Sequence, residues 1–252
     1  GDIISSIYND AARLIDGAEI AAEVMRMALL APKDGKPSIA IGTGEQESDN
    51  MVYGYDYDGD GTYKQKHYLK IQGTDTWDHP DTAKPLKDVQ QGTKYLKSIG
   101  VLPRYAMMNS TTFDYLVENE QIKNALITSS GKTVDFTDEA TVKEIFTRKT
   151  GLTPIIYDKM YIDYKGETQK FYPDDKVTII GAGTLGSTYY GVTPEERTLM
   201  SNKNVDVAML DNRIAIATKT EQGPPIKTTT SVSQIVLPSY EGIDSTFVID
   251  VK

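Results

Sequence analysis

The first thirty residues repeat apolar side chains mostly at steps of three and four, the spacing of one face of an α-helix. Charged side chains occupy the opposite positions, and no proline interrupts the run before Pro32. The pattern predicts one helix over residues 2–31, roughly 40 Å long at 1.5 Å per residue. Gly17 lies inside the run and costs a helix about 1 kcal/mol relative to alanine. The apolar positions are Ile3, Ile4, Ile7, Ala11, Leu14, Ile15, Ala18, Ala22, Met25, Ala28 and Leu29.

A single long helix followed by many short strand-like runs restricts the possible folds. We expect the helix to form a spine against which β-sheets pack. The alternative is a coiled coil, which is disfavoured because the run covers only about four heptads and leads into strands rather than further helix.

Charge and composition exclude several classes of protein. The 252 residues include 36 acidic and 27 basic side chains, a formal net charge of −9, which argues against a general nucleic-acid binder. The chain has no cysteine, and His67 and His79 are its only histidines, which leaves little for thiol or histidine metal sites or for histidine catalysis. No apolar run approaches the roughly 20 residues that span a bilayer. The first residue is Gly1 and no basic segment precedes the apolar positions, so we expect a processed or trimmed piece without a signal peptide.

After the long helix, strand-like and helix-like patterns are mixed, which predicts an α+β fold. Gly59 and its aspartate neighbours predict a hairpin turn over residues 56–61, between strands 51–55 and 63–72. Polar segments at 73–84 and 222–225 predict two junctions between domains. The predicted helices are 85–99, 110–117, 121–127 and 138–150, and the other predicted strands are 38–41, 104–108, 154–162, 169–172, 176–180, 205–210, 214–219 and 226–251.

The segment from Asp56 to Gly61 matches the first half of a calcium-binding loop, D-x-D-x-D-G. Such a loop requires a bidentate glutamate at its twelfth position, where this chain has His67. The flanking residues also read as strands rather than helices. A solvated hairpin turn is therefore the favoured interpretation.

The segment from Gly181 to Gly186 spells G-x-G-x-x-G directly after a predicted strand. A dinucleotide site needs a helix immediately afterwards, and Ser187–Pro194 does not start one. We interpret the glycines as a tight loop with close backbone approach. The adjacent acids Asp174-Asp175 and Glu195-Glu196 are interpreted as solvated surface, so the sequence predicts no catalytic, cofactor-binding or metal-binding residues and no cofactor.

Several stretches, in this order and spacing, resemble the major capsid protein E family of lambda-like tailed bacteriophages and prophages. The resemblance runs over most of the chain. The segments that carry it are Tyr8–Ile15, Glu23–Met27, Met107–Leu116, Lys170–Thr178, Gly183–Glu196 and Ser233–Glu241.

The resemblance implies the Hong Kong 97-type capsid fold, in which a peripheral domain carries the long spine helix and a long sheet. An axial domain is inserted between the spine region and the last strands. We expect residues 1–80 to form the first part of the peripheral domain, 81–225 the axial domain and 226–252 a final long peripheral strand. Family members have an N-terminal arm and an extended loop before the spine helix, and we expect both to be absent here.

The function expected from the resemblance is structural and not enzymatic: a major capsid protein, or a trimmed fragment of one, that self-assembles into an icosahedral shell around double-stranded DNA. The implied partners are copies of itself in pentamers and hexamers, with scaffold, portal and decoration proteins as further candidates. The packaged DNA would be held without sequence-specific contact and no membrane is involved. The implied location is the virion, assembled in the bacterial host cytoplasm. The alternatives are a cell-surface or pilus-like β-rich binding module and, from residues 181–186 alone, a nucleotide-binding enzyme.

Overall fold

The computed structural model describes residues 2–42, 50–56, 61–130, 138–163, 165–193, 205–210, 213–221 and 227–252. Helices and strands are mixed along the chain, so the fold is α+β, as predicted. The helices are α1 (Asp2–Leu30), α2 (Thr62–Lys66), α3 (Pro85–Ser98), α4 (Ser110–Glu118), α5 (Glu120–Ser130) and α6 (Glu139–Thr150). The strands are β1 (Ser38–Gly42), β2 (Asn50–Gly54), β3 (Tyr68–Lys70), β4 (Pro103–Met108), β5 (Thr153–Ile156), β6 (Met160–Ile162), β7 (Thr168–Lys170), β8 (Lys176–Gly181), β9 (Thr188–Gly191), β10 (Val205–Met209), β11 (Ala215–Glu221), β12 (Lys227–Ser233), β13 (Ile235–Pro238) and β14 (Thr246–Asp250).

The chain divides into two compact units, each built from two separate segments. Unit 1 contains Gly1–Arg26 and Gly186–Ser239, and unit 2 contains Met27–Leu185 and Tyr240–Lys252. These boundaries differ from the predicted divisions after residues 80 and 225. Naming the units as peripheral and axial domains stays a prediction.

Unit 2 is organised around a five-stranded sheet with the strand order β3-β14-β8-β4-β5. The two outer pairs, β14 with β3 and β4 with β5, are parallel, whereas β8 pairs antiparallel with both β14 and β4. Two further antiparallel hairpins, β1–β2 and β6–β7, belong to the same unit. Parallel pairs require crossover connections, and helices α3 to α6 lie in the stretches of chain that join these strands.

The two faces of this sheet bury two different apolar clusters. Alternate residues of β4, β8 and β14 join a large core with helices α3 to α6, which includes Val89, Leu96, Phe146, Ile179 and Phe247. On β4 and β8, Met107 and Ile180 point to the other face. They pack with Met27 in the last turn of α1, with Ala31 just after that helix, and with Tyr172. The period-two alternation of side chains thus places helices on both faces of the sheet.

The polar segment 73–84, predicted as a domain junction, lies inside unit 2. Its tryptophan, Trp77, is only 1% exposed and belongs to the large core. The Trp77 backbone N–H donates to the carbonyl of Val251 at 2.9 Å, and its indole Nε1 donates to Asp88 Oδ2 at 3.0 Å. The polar composition reflects turns around one buried aromatic anchor rather than a linker.

Unit 1 contains two antiparallel sheets. Strands β10, β11 and β12 form one sheet with β11 at its centre, and β9 pairs with β13 in the other. Arg26, near the C-terminal end of α1, donates from Nη1 to the Thr188 hydroxyl at the start of β9 at 3.2 Å. The single long strand predicted over residues 226–251 is wrong, because β12, β13 and β14 pair in three different sheets.

Two further strand predictions are wrong. The strand expected at 63–72 begins as helix α2, and β2 pairs with β1 rather than across the Asp56–Gly61 segment, of which residues 57–60 lie outside the described residues. Tyr63 and His67 are both buried four residues apart, and the His67 N–H donates to the Tyr63 carbonyl at 2.7 Å. The strand expected at 154–162 is interrupted, so that β5 joins the large sheet and β6 pairs with β7.

The helix boundaries follow local capping chemistry and confirm the predictions closely. The side chains of Asn109 and Asp138 accept hydrogen bonds from the backbone N–H groups of Thr112 and Thr141, which caps α4 and α6. Gly151 ends α6 with a φ of 74°, a left-handed conformation that glycine adopts without strain.

Two helical glycines provide a matched stability test. A Cβ at Gly92 of α3 would lie 2.6 Å from Phe247 Cδ1 and 2.7 Å from Ile179 Cδ1, whereas a Cβ at Gly17 of α1 meets no atom within 4 Å. We expect Gly17→Ala to stabilise the protein by about 1 kcal/mol. Gly92→Ala should destabilise it by about 1–2 kcal/mol, because overpacking outweighs the helix preference. Urea unfolding of the two variants measures both effects, and equal gains at both sites would contradict the close packing of α3.

The Asp88 carboxyl predicts a pH-dependent stability difference. Burial raises its pKa, with a further contribution from Asp75, against the opposing hydrogen bond from Trp77. A pKa raised in the folded state means that stability is full at low pH and is lost as the pH rises through that pKa. Asp88→Asn keeps an acceptor for Trp77 and should therefore raise the free energy of unfolding at pH 7.

The gain from Asp88→Asn should vanish near pH 3, because the Asp88 carboxyl is then mostly protonated in both the folded and the unfolded chain. Asp138→Asn is the opposite control, because hydrogen bonds from Thr141 lower the pKa of Asp138. Urea unfolding at pH 7 and pH 3 measures both variants. At pH 7, Asp88→Asn should raise the free energy of unfolding and Asp138→Asn should lower it. A gain for Asp88→Asn that is unchanged at pH 3 would contradict the burial argument.

Candidate self-association surfaces

Exposed apolar side chains concentrate on two-stranded ribbons in both units. In the β6–β7 ribbon of unit 2, Met160 and Ile162 share one face and are 54% and 67% exposed. Tyr161 points to the opposite face and packs against Phe171, with ring centroids 4.7 Å apart. One face of this ribbon is therefore anchored and the other presents apolar surface.

The turn of the β6–β7 ribbon is held by the Asp163 side chain. Its Oδ1 accepts hydrogen bonds from the backbone N–H groups of Lys165 and Glu167 at 2.9 Å, and its Oδ2 accepts from Gln169 Nε2 at 3.0 Å. These hydrogen bonds lower the pKa of Asp163. The ribbon that carries Met160 and Ile162 thus has a defined turn geometry.

The β1–β2 ribbon of unit 2 exposes apolar residues on both of its faces. Ile39 is 2% exposed, but its cross-strand partner Tyr53 is 41% exposed, and Met51 lies on the same face. Val52 points to the opposite face and is 67% exposed. A strand with three successive exposed large apolar side chains lacks the polar face expected of a solvated ribbon.

The β9–β13 ribbon of unit 1 carries a third apolar face. Tyr189 lies directly opposite Leu237, and Ile235 lies opposite Gly191. Tyr189, Ile235 and Leu237 are all exposed on this face. A Cβ at Gly191 would lie 2.9 Å from Ile235 Cγ2, so glycine leaves the room that Ile235 occupies. Contiguous exposed apolar residues of this kind indicate protein–protein contact surfaces.

Of the residues that match a calcium-binding loop, the structure describes Asp56 and Gly61. Asp56 Oδ2 accepts a hydrogen bond from the Tyr63 backbone N–H at 3.2 Å, at the start of α2. Within the described residues, no three histidine, aspartate or glutamate side chains are grouped as metal ligands would be. Asp58 and Asp60 lie outside the described residues.

The glycine-rich segment leads into a strand and not into a helix. Gly181 ends β8, and a Cβ there would lie 2.6 Å from Val101 Cγ1, which agrees with the interpretation of close backbone approach. Gly183 has a φ of 111°, and β9 begins two residues after Gly186. The helix N-terminus that would hold a pyrophosphate does not follow this segment.

The paired acids at 174 and 175 are structural hydrogen-bond acceptors. Burial opposes ionisation of Asp174, but hydrogen bonds from Lys170 and Asn109 lower its pKa. The Tyr115 hydroxyl donates to Asp175 Oδ1 at 2.9 Å, and burial together with this carboxylate raises the pKa of Tyr115 to about 12. Glu195 and Glu196 lie outside the described residues.

Apolar ribbons exposed in each unit of an α+β chain are typical of a protein that binds other protein surfaces. The chain belongs to the phage major capsid protein E family, whose sequence profile matches residues 4–229. This confirms the resemblance drawn from the sequence. The family is structural and non-enzymatic. No curated protein matches the chain significantly in sequence.

Among solved structures, the chain is similar to a protein assigned as the capsid protein of a prophage of E. coli CFT073. The TM-score is 0.63 at 15% sequence identity, over 97% of this chain and 66% of that protein, so the likeness lies in the fold. The chain therefore spans about two thirds of the length of that relative. A phage-related protein of Bordetella bronchiseptica RB50 matches with a TM-score of 0.47 and 12% identity, over 76% of this chain and 57% of that protein.

Among the helices in the described part of the chain, none is both long enough and apolar enough to cross a bilayer.

Substitutions in the apolar ribbons test whether these residues contribute to association between molecules rather than to the stability of the fold. Ile162→Gln and Val52→Gln change side chains that are 67% exposed, so each should alter the free energy of unfolding by no more than about 0.5 kcal/mol. Each should lower association, because the lost contact is apolar area covered only between molecules. Light scattering against concentration measures the association, and Lys123→Gln on α5 is the exposed control. Unchanged association in both ribbon variants would contradict the assignment of these surfaces.

Proposed function

We propose that this chain is the shell-building part of a phage major capsid protein. The observation that carries the proposal is the family match over residues 4–229, supported by the fold similarity over 97% of the chain. Copies of the chain would tile an icosahedral shell around double-stranded DNA. The location would be the virion, after assembly in the host cytoplasm.

Assembly of this kind works through many modest contacts rather than one strong interface. Rings of five and six identical subunits need heterologous interfaces, in which two different surfaces of the same chain meet. Once a subunit is held at one contact, its other contacts form at high effective concentration. Exposed ribbons in both units supply several separate apolar surfaces for such contacts.

Unit 1 is the candidate peripheral domain and unit 2 the candidate axial domain. Unit 1 contains residues 2–26 of the long helix together with the three-stranded sheet β10-β11-β12, which supports its assignment as the spine and long sheet of a peripheral domain. Residues 27–185 of unit 2 lie between these two segments, and residues 240–252 of unit 2 follow them. This assignment moves the proposed axial domain to residues 27–185 and 240–252.

The excess of acidic residues supports a shell that does not bind the packaged DNA tightly. A net charge of −9 gives a shell that repels phosphates on average, which would let the genome slide along the wall. Scaffold, portal and decoration proteins are proposed as further partners.

Assembly of the complete gene product and of this chain tests the proposal directly. Negative-stain electron microscopy with light scattering should reveal rings or closed shells at high concentration or with a crowding agent. The Ile162→Gln variant, which removes one exposed apolar contact, is the matched control and should assemble less. Monodisperse monomers under every condition would overturn the capsid proposal and favour the β-rich binding module.

A further inference from the structure

The three-stranded sheet of unit 1 has two free edges in the part of the chain that the structure describes. β11 is the central strand, and no described strand pairs with the outer edge of β10 or of β12. A strand edge presents unpaired N–H and C=O groups along its length, which is a template for another strand. The sheet can therefore be extended on both sides by backbone hydrogen bonds.

β12 lacks the usual protection against edge pairing. It is seven residues long, from Lys227 to Ser233, and pairs with β11 in continuous register without a bulge. It contains no proline, and Lys227 at its first position is its only charged residue. Native edges are usually blunted by short length, bulges, proline or several charges.

The edges of the sheet in unit 2 show the protected alternative. β3 is only three residues long, and β5 has four residues that include Pro154. Proline removes a backbone donor, and such short strands offer few hydrogen bonds to a partner. The same chain thus blunts the edges of one sheet and leaves those of the other open.

We propose that the outer edge of β12 pairs with the outer edge of β10 in a second copy of this chain, so that the two sheets become continuous. The inference rests on the proposed shell assembly and names one of its interfaces. Two different edges of one sheet make a heterologous contact, which repeats around a ring, whereas β12 meeting β12 would close at a dimer.

The two edges are compatible in direction and in charge. β10 and β12 are both antiparallel to β11, so they run the same way, and a continued sheet pairs them in parallel. The single charged residue of β12 is Lys227, and the single charged residue of β10 is Asp206. Their opposite signs leave no like-charge repulsion between the edges.

Disulfide trapping tests the interface, because the chain contains no cysteine of its own. Asp206 on β10 and Thr230 on β12 both lie opposite Thr218 of β11. They are thus two strand spacings apart, about 9.5 Å, which exceeds the roughly 7 Å limit between the Cα atoms of a disulfide. The double variant Asp206→Cys/Thr230→Cys can therefore be bridged only between molecules.

Three double variants sample the register in steps of two residues on the same face of the sheet. Each combines Asp206→Cys with Thr228→Cys, Thr230→Cys or Val232→Cys. After assembly under reducing conditions and mild oxidation, we expect at least one pair to give covalent trimers and higher multimers on non-reducing gels. The single variants should give no more dimer than the background control, Ser98→Cys/Lys123→Cys, on helices of unit 2.

The outcomes separate this inference from the proposed function. Assembled particles without cross-links in all three pairs, or dimers above background from the single variant Thr230→Cys, would overturn the β12–β10 contact and leave shell assembly intact. Failure of the unmodified chain and of the complete gene product to assemble would overturn both. Amide hydrogen exchange gives a second readout, since outer-edge amides of β12 should exchange at least about tenfold more slowly in particles than in dispersed protein.

Discussion

The pairing of β14 with its neighbours is the interaction on which the rest of unit 2 depends. All five residues from Thr246 to Asp250 are buried, so their backbone groups must be hydrogen-bonded within the protein. Segment 67–77 forms backbone hydrogen bonds along one side of this strand, and β8 pairs along the other side. Lys176 Nζ of β8 also donates to Asp250 Oδ1 of β14 at 2.5 Å. Phe247 and Ile249 then complete the large core beneath helix α3. Segments far apart in the sequence are fixed together by this one strand.

The helices could be predicted from the sequence because their signals are local. A repeat of three and four residues, an asparagine or aspartate cap and a glycine stop each act within one or two turns. The strands could be found but not paired, because pairing joins residues that are distant along the chain. The boundaries of the two units differ from the predicted domain divisions for the same reason: the polar segment 73–84 resembles a linker until the burial of Trp77 is known.

The association surfaces could not be predicted, since an apolar residue in a strand pattern does not reveal which side is covered. Ile39 and Val52 occupy similar patterns on paired strands, yet one is 2% and the other 67% exposed. The family resemblance succeeded where residue-level reasoning stopped, because it compares the order and spacing of many segments at once. No chemistry-bearing motif was needed for it, which suits a protein whose role lies in its contacts.

The two-segment construction of unit 1 also sets an order of events during translation. Residues 1–26 leave the ribosome well before the strands that complete their unit, which lie at 186–239. At 5–20 residues per second, synthesis of the intervening chain takes on the order of ten seconds. The helix must remain unpaired with its strands for that time, and the sheet with two open edges forms late. The proposed β12–β10 contact between copies can therefore form only after most of each chain has been synthesised.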